Sequence, residues 1–182
     1  QFHDATELKP EGAQEQEARE GEEKAKDLLA RALAEEGTRK TMANSMVMPK
    51  ANEAQVPQMD LAQIREGVNM LEDATTLKPD DPNYAQQLDQ GRERLANALV
   101  RQAQIYQMIE PRIPRVDDQL GILRMGLELT EQALEQKPNH AQARQVQEQI
   151  KQRLAQIHEE QGDQLDQQAE NASLEQQSQQ LS

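Results

Sequence analysis

Polar positions dominate the chain, and its apolar residues recur three and four apart. That is the spacing of one helix face rather than the alternation of a strand. Between residues 60 and 78 the stripe is Leu61, Ile64, Val68, Leu71 and Ala74, with Asp60 placed to cap the start. Residues 82–110 carry Leu88, Leu95, Leu99, Ile105 or Tyr106, and Ile109 before Pro111 and Pro114 interrupt the pattern. Residues 116–137 carry Leu120, Leu123, Leu127 and Leu134, with Asp117 as the expected cap. Residues 139 to about 172 carry Ala143, Val146, Ile150, Leu154 and Ile157.

Upstream, residues 12–36 predict a helix with Ala18, Ala25, Leu28, Leu29, Ala32 and Leu33 on one face, and Gly37 as its C-terminal stop. Residues 1–8 read as the end of an earlier helix. Residues 38–59, with Pro49, Pro57 and the apolar run Met46, Val47 and Met48, read as a loop. From Ser173 to Ser182 the composition is mostly Gln and Ser, which predicts a flexible tail. A single helical domain over residues 1–172 follows.

An internal repeat organises these helices. Asp4-Ala5-Thr6-Glu7-Leu8-Lys9-Pro10 and Asp73-Ala74-Thr75-Thr76-Leu77-Lys78-Pro79 agree at six of seven positions, and Gln132-Ala133-Leu134-Glu135-Gln136-Lys137-Pro138 is a third copy. Each copy should end one helix, because Pro cannot donate to an earlier carbonyl and pushes the residue before it out of the helical region. A new helix then starts. Asp81 is the expected cap in the second copy, with Pro82 as the first helical residue, and Asn139 in the third, with Gln142 three residues on.

Here the sequence resembles the tetratricopeptide repeat family. That pattern has a small residue early in its second helix, another seven later, and Pro five after that. Gly67, Ala74 and Pro79 fit it, as do Gly126, Ala133 and Pro138, while Ala5 and Pro10 are the visible part of the first copy. Leu71 fills the apolar slot between the small residues of the second copy, where the third has Thr130. The prolines lie 69 and 59 residues apart, against roughly 34 for the family repeat. The resemblance therefore implies an all-α fold of antiparallel helical hairpins with elongated helices, stacked as a short solenoid. It also implies a protein-interaction scaffold whose groove holds a partner's peptide or helix, with the helices after Gly67 and Gly126 lining one side.

Composition narrows the chemistry. Aromatics are 2% of the chain and there is no Cys, so disulfides and thiolate metal sites are absent. The formal charge is −13, and no basic face of the kind nucleic acid requires is visible. Residues 1–36 hold eleven acids against five bases, which either keeps the chain soluble or steers a basic partner. No apolar run is long enough to span a membrane. Residue 1 is Gln. This fits an exported or periplasmic protein that has lost a signal or anchor, a cytoplasmic one, or a fragment.

No motif speaks for catalysis, a cofactor or a metal. His3, His140 and His158 form no metal-binding pair and read as solvent-exposed helix residues. Asp80-Asp81-Pro82-Asn83 lacks the spaced ligands of a calcium loop. The candidate partner-binding residues are Tyr84 and Tyr106 as aromatic anchors, Met46 and Met48 in the apolar loop, and Arg92 in the basic concentration Arg92, Arg94, Arg101, Arg112 and Arg115. Each also has a plain reading: packing for the tyrosines, a folded-back loop for the methionines, internal ion pairs for the arginines. The expected function is a non-enzymatic scaffold. The alternative is a self-associating structural element of a larger complex, in the cell envelope for instance.

Overall fold

The computed structural model describes residues 11–42, 46–47 and 58–180. The first repeat copy with Ala5 and Pro10, the methionine Met48, and residues 181–182 lie outside them. The fold is all-helical. Its elements are α1 (Glu11–Thr41), the two-residue strands β1 (Met46–Val47) and β2 (Gln58–Met59), α2 (Leu61–Leu77), α3 (Pro82–Ile109), a 3-10 turn (Glu110–Arg112), α4 (Val116–Gln136) and α5 (Ala141–Gln180). The strands pair antiparallel, Met46 opposite Met59 and Val47 opposite Gln58, so the expected loop contains a short ladder.

The chain divides into two compact units. One holds residues 1–43 and 62–94, the other residues 44–61 and 95–182, so α3 gives its first part to the former and its second to the latter.

In the first unit α1 and α2 are antiparallel. Lys78, just past the end of α2, meets Glu23 and Asp27 early in α1, whereas Lys40 late in α1 meets Glu66 early in α2. The start of α3 returns along α2: Arg92 bonds Glu72 at 2.9 Å, and Leu71 lies against Gly91. The core is Ala34, Leu71 and Ala74, with Leu33, Tyr84 and Leu88 packed on it. In α2 the buried stripe is Ile64, Gly67, Val68, Leu71 and Ala74, as its periodicity predicts.

In α1 the expectation fails twice. Of the expected face only Leu33 packs on the core, half-buried; Ala18, Ala25, Leu28, Leu29 and Ala32 are exposed, and the buried positions are Ala30, Ala34, Gly37 and Thr41. Gly37 is also no stop, for α1 runs through it to Thr41. The small residues are buried because α2 crosses close to them: a Cβ on Gly37 would lie 2.7 Å from the Gly67 carbonyl oxygen, and a Cβ on Gly67 would lie 2.7 Å from that of Gly37. Bulkier leucines do not fit such a crossing.

In the second unit α4 is antiparallel to the end of α3 and to the start of α5. Gly126 sits where all three meet; a Cβ there would be 3.1 Å from the Ile150 methyl, 3.7 Å from the Ala103 carbonyl oxygen and 3.7 Å from Tyr106 Cβ. Of the alternatives at the end of α3, Tyr106 is buried and Ile105 half-buried. Thr130, at the slot matching Leu71, is fully buried and donates its hydroxyl to the Leu127 carbonyl at 2.7 Å. With that donor satisfied inside its own helix, the residue packs as an apolar one.

The two Lys-Pro corners carry the same backbone bonds. Lys78 N–H donates to Ala74 O at 3.1 Å and Lys137 N–H to Ala133 O at 3.0 Å, closing each helix. Asp81 N–H then donates to Lys78 O, and His140 N–H to Lys137 O, turning the chain into the next helix. α5 continues as helix to Gln180, which includes most of the Gln/Ser-rich segment that begins at Ser173.

Candidate functional site

The corner after α2 lines an open cleft of about 650 Å³, formed by Glu23, Asp27, Leu77, Lys78, Pro79, Asp80, Asp81 and Pro82. Lys78 is held 2.9 Å from a Glu23 oxygen and 2.5 Å from an Asp27 oxygen. Asp27 first, then Glu23, push the Lys78 ammonium above its ordinary range, and its hydrogen bond in turn holds the Glu23 carboxyl below the usual glutamate range. A lysine kept protonated this firmly is neither a base nor a nucleophile near neutral pH. It ties the end of α2 to α1. The proline fixes where the helix ends and the preceding lysine anchors that end.

The cap positions differ from expectation in the second unit. Asp81 does cap α3, accepting the Asn83 N–H at 2.9 Å. Asn139 does not cap α5. His140 takes that role, its Nδ1 accepting the Ala143 N–H at 3.1 Å. A nitrogen that accepts carries no proton, so Nε2 is the protonated one and donates to Asn97 Oδ1 at 3.2 Å. His140 is thus half-buried between α5 and α3 rather than solvent-exposed, unlike His158. Asp117 does not cap α4 either. Arg115 occupies the cap position without a side-chain capping bond and pairs with Asp118 at 3.8 Å, leaving Asp117 and Asp118 in the first turn, where their charge still favours the helix N-terminus.

Just before Pro111, Glu110 is almost completely buried and receives two bonds from the Arg153 guanidinium, 3.2 Å from Nε and 3.0 Å from Nη2. This forked geometry is the strongest ion pair available to a carboxylate. Asn97–His140 and Glu110–Arg153 share one sequence offset, 43 residues, as two parallel helices in register require. No sequence signal marked Glu110. Its role depends on a residue 43 positions away.

The sequence-predicted partner residues fall in different settings. Tyr84 packs against the first core. Arg92 is engaged by Glu72. Tyr106 is buried beside Gly126. Met46 lies in β1 opposite Met59, whose N–H donates to Gln102 Oε1 at 2.8 Å. The repeat positions Gly67, Ala74, Gly126 and Ala133 are all buried at helix contacts, and Pro79 and Pro138 are exposed at the corners. Among the described residues no cluster of His, Asp and Glu has metal-holding geometry, and no helix is long and apolar enough to cross a membrane. The chain matches no family model, no curated protein and no solved structure.

Proposed function

We propose that the protein is a non-enzymatic interaction scaffold of tetratricopeptide-like type, whose elongated hairpins hold a peptide or helix of a partner protein. The observation that carries this reading is the repeated register of small residues and proline. Gly67-Ala74-Pro79 and Gly126-Ala133-Pro138 bring small residues to helix contacts and close each helix with the same pair of backbone bonds. Small residues let the helices approach closely, Leu71, Leu99, Leu123 and Ile150 are buried among them, and long polar side chains are left to cover the outer faces. That suits recognition of an extended surface better than enclosure of a small molecule. Affinity capture with in-cell crosslinking tests it. Specific partners should crosslink to wild type and be lost from a Gly67→Val, Gly126→Val variant; a chain that crosslinks to nothing but itself contradicts the reading.

A self-assembling element of a larger complex is the second reading. It is favoured by Leu28 and Leu29 on α1 and Leu165 on α5, large apolar side chains that are 71%, 52% and 65% exposed. Sedimentation at rising concentration separates the two, since a persistent monomer removes self-assembly.

A further inference from the structure

The chain is strongly acidic, and its cations are mostly consumed internally. Arg31 pairs with Glu35, Arg39 with Glu36, Arg92 with Glu72 and Arg153 with Glu110, while Arg94 bonds Thr41. Arg101 in α3 and Arg112 in the 3-10 turn that follows it are exceptions. Arg101 and Arg112 are exposed and make no side-chain hydrogen bond or ion pair among the described residues. Between them on the same face lie Ile105, half-buried, and Met108, which is 65% exposed. Arg101, Ile105 and Met108 stand at i, i+4 and i+7 on one face of α3, and Arg112 follows in the adjoining 3-10 turn, giving the order Arg, Ile, Met, Arg. Across residues 95–116 the charges are Arg101, Arg112, Arg115 and Glu110; Glu110 is paired with Arg153 and Arg115 faces Asp118 at 3.8 Å, which leaves the charge of the patch to Arg101 and Arg112. The stripe is thus a positive, apolar-centred patch on a negative molecule.

We infer that this face of α3 binds an acidic segment of a partner protein that sets a large apolar side chain between two carboxylates. The inference rests on the scaffold reading and names the partner's chemistry. Guanidinium groups at each end match carboxylates in a forked geometry that ammonium groups cannot supply. Met between them adapts to whatever apolar side chain arrives. Eight residues of α-helix and a three-residue 3-10 turn place the arginines about 18 Å apart along the chain. An extended partner spans that distance with about five residues. The overall negative charge does not forbid the complex, because at physiological salt the screening length is about 8 Å and the nearby arginines outweigh distant acids.

Selection of a random twelve-residue display library on the intact chain tests this. The enriched peptides should carry Asp or Glu on both sides of an apolar residue. As labelled synthetic peptides in fluorescence anisotropy, they should bind at least tenfold more weakly to the Arg101→Glu, Arg112→Glu variant and to Met108→Asp, and more weakly as salt rises. Arg19→Glu, on α1, should bind like wild type, and circular dichroism should show every variant folded. Enrichment of basic or uncharged peptides overturns the inference and leaves the scaffold reading standing, as does binding indifferent to the double reversal. A library that enriches nothing counts against both. A dimer that the double reversal dissolves would make a second copy of the chain the occupant and overturn the acidic-partner assignment.

Discussion

Gly37 and Gly67 face each other so closely that a Cβ on either one would stand 2.7 Å from the carbonyl oxygen of the other. The obstacle is backbone on both sides, so neither helix can yield by rotating a side chain. Gly→Ala in a helix interior ordinarily gains about 1 kcal/mol from propensity. Here the forced separation of α1 and α2 should outweigh that gain. We predict that Gly37→Ala and Gly67→Ala each destabilise the protein by about 1–3 kcal/mol in urea unfolding. Gly21, Gly121 and Gly162 have open space where a Cβ would go. Their alanine variants should be stabilised by about 0.5–1 kcal/mol. Equal responses from the two sets would show that the crossing is not tight.

The Glu110–Arg153 fork predicts an asymmetric pair of variants. Arg153→Ala leaves a buried carboxylate without its partner and should cost on the order of 3 kcal/mol. Glu110→Gln with Arg153→Met removes both charges and should recover much of that loss. A double-mutant cycle in chemical denaturation measures the coupling. A coupling near zero would mean the fork is only a surface contact.

The His140 cap predicts a loss of about 1 kcal/mol for His140→Ala and a much smaller one for His140→Asn, which restores a capping acceptor. In nitrogen-detected NMR the His140 ring should carry its proton on Nε2. A proton on Nδ1 at neutral pH would contradict the cap.

The corner ion pairs predict an acid limb in stability. Glu23 is held below its ordinary range by Lys78, so its contribution is present above that range, near pH 4.3, and is lost as pH falls through the lowered value. Lys78 is raised, so its contribution is full below the ordinary lysine range and is lost as pH rises from there through the raised value. Stability from this corner should therefore be flat from about pH 6 to 10, fall on the acid side as Glu23 is protonated, and fall again on the alkaline side as Lys78 loses its proton. Lys78→Met should flatten the acid limb in thermal melts followed by circular dichroism; an unchanged limb would mean the pairs are fully screened. The exposure of the Glu23 and Asp27 carboxylates makes the effect small and sensitive to salt.

Much of the fold was legible because local chemistry decides it. The stripe of α2, the proline corners and the Asp81 cap need only neighbouring residues to be read. The failures share a physical cause. Leu28 and Leu29 outweigh Ala30 and Ala34 in hydrophobicity, yet a close crossing selects for small size. Gly37 looks like a stop only while the glycine opposite it in α2 is unknown. Asn139 is the better cap by residue type, but the two corners align Asp81 with His140, and a strict transfer between the repeat copies points to His140. Glu110 and Arg153 meet through register between parallel helices, which no local pattern reveals. The stripe around Met108 was visible only as a basic concentration until Arg92 and Arg94 proved to be engaged, while Arg101 and Arg112 make no side-chain bond among the described residues.

The antiparallel crossing of α1 and α2 is tested most directly by short-arm thiol crosslinking, since the chain has no cysteine of its own. Cysteine pairs replacing Lys40 with Glu66, and Asp27 with Lys78, should crosslink rapidly and within one molecule. Pairs replacing Asp27 with Glu66, and Lys40 with Lys78, should not, because twelve residues of helix separate the two ends of α2 by about 18 Å. Crosslinking of the second set in preference to the first, or of neither set, would contradict the hairpin on which the scaffold depends.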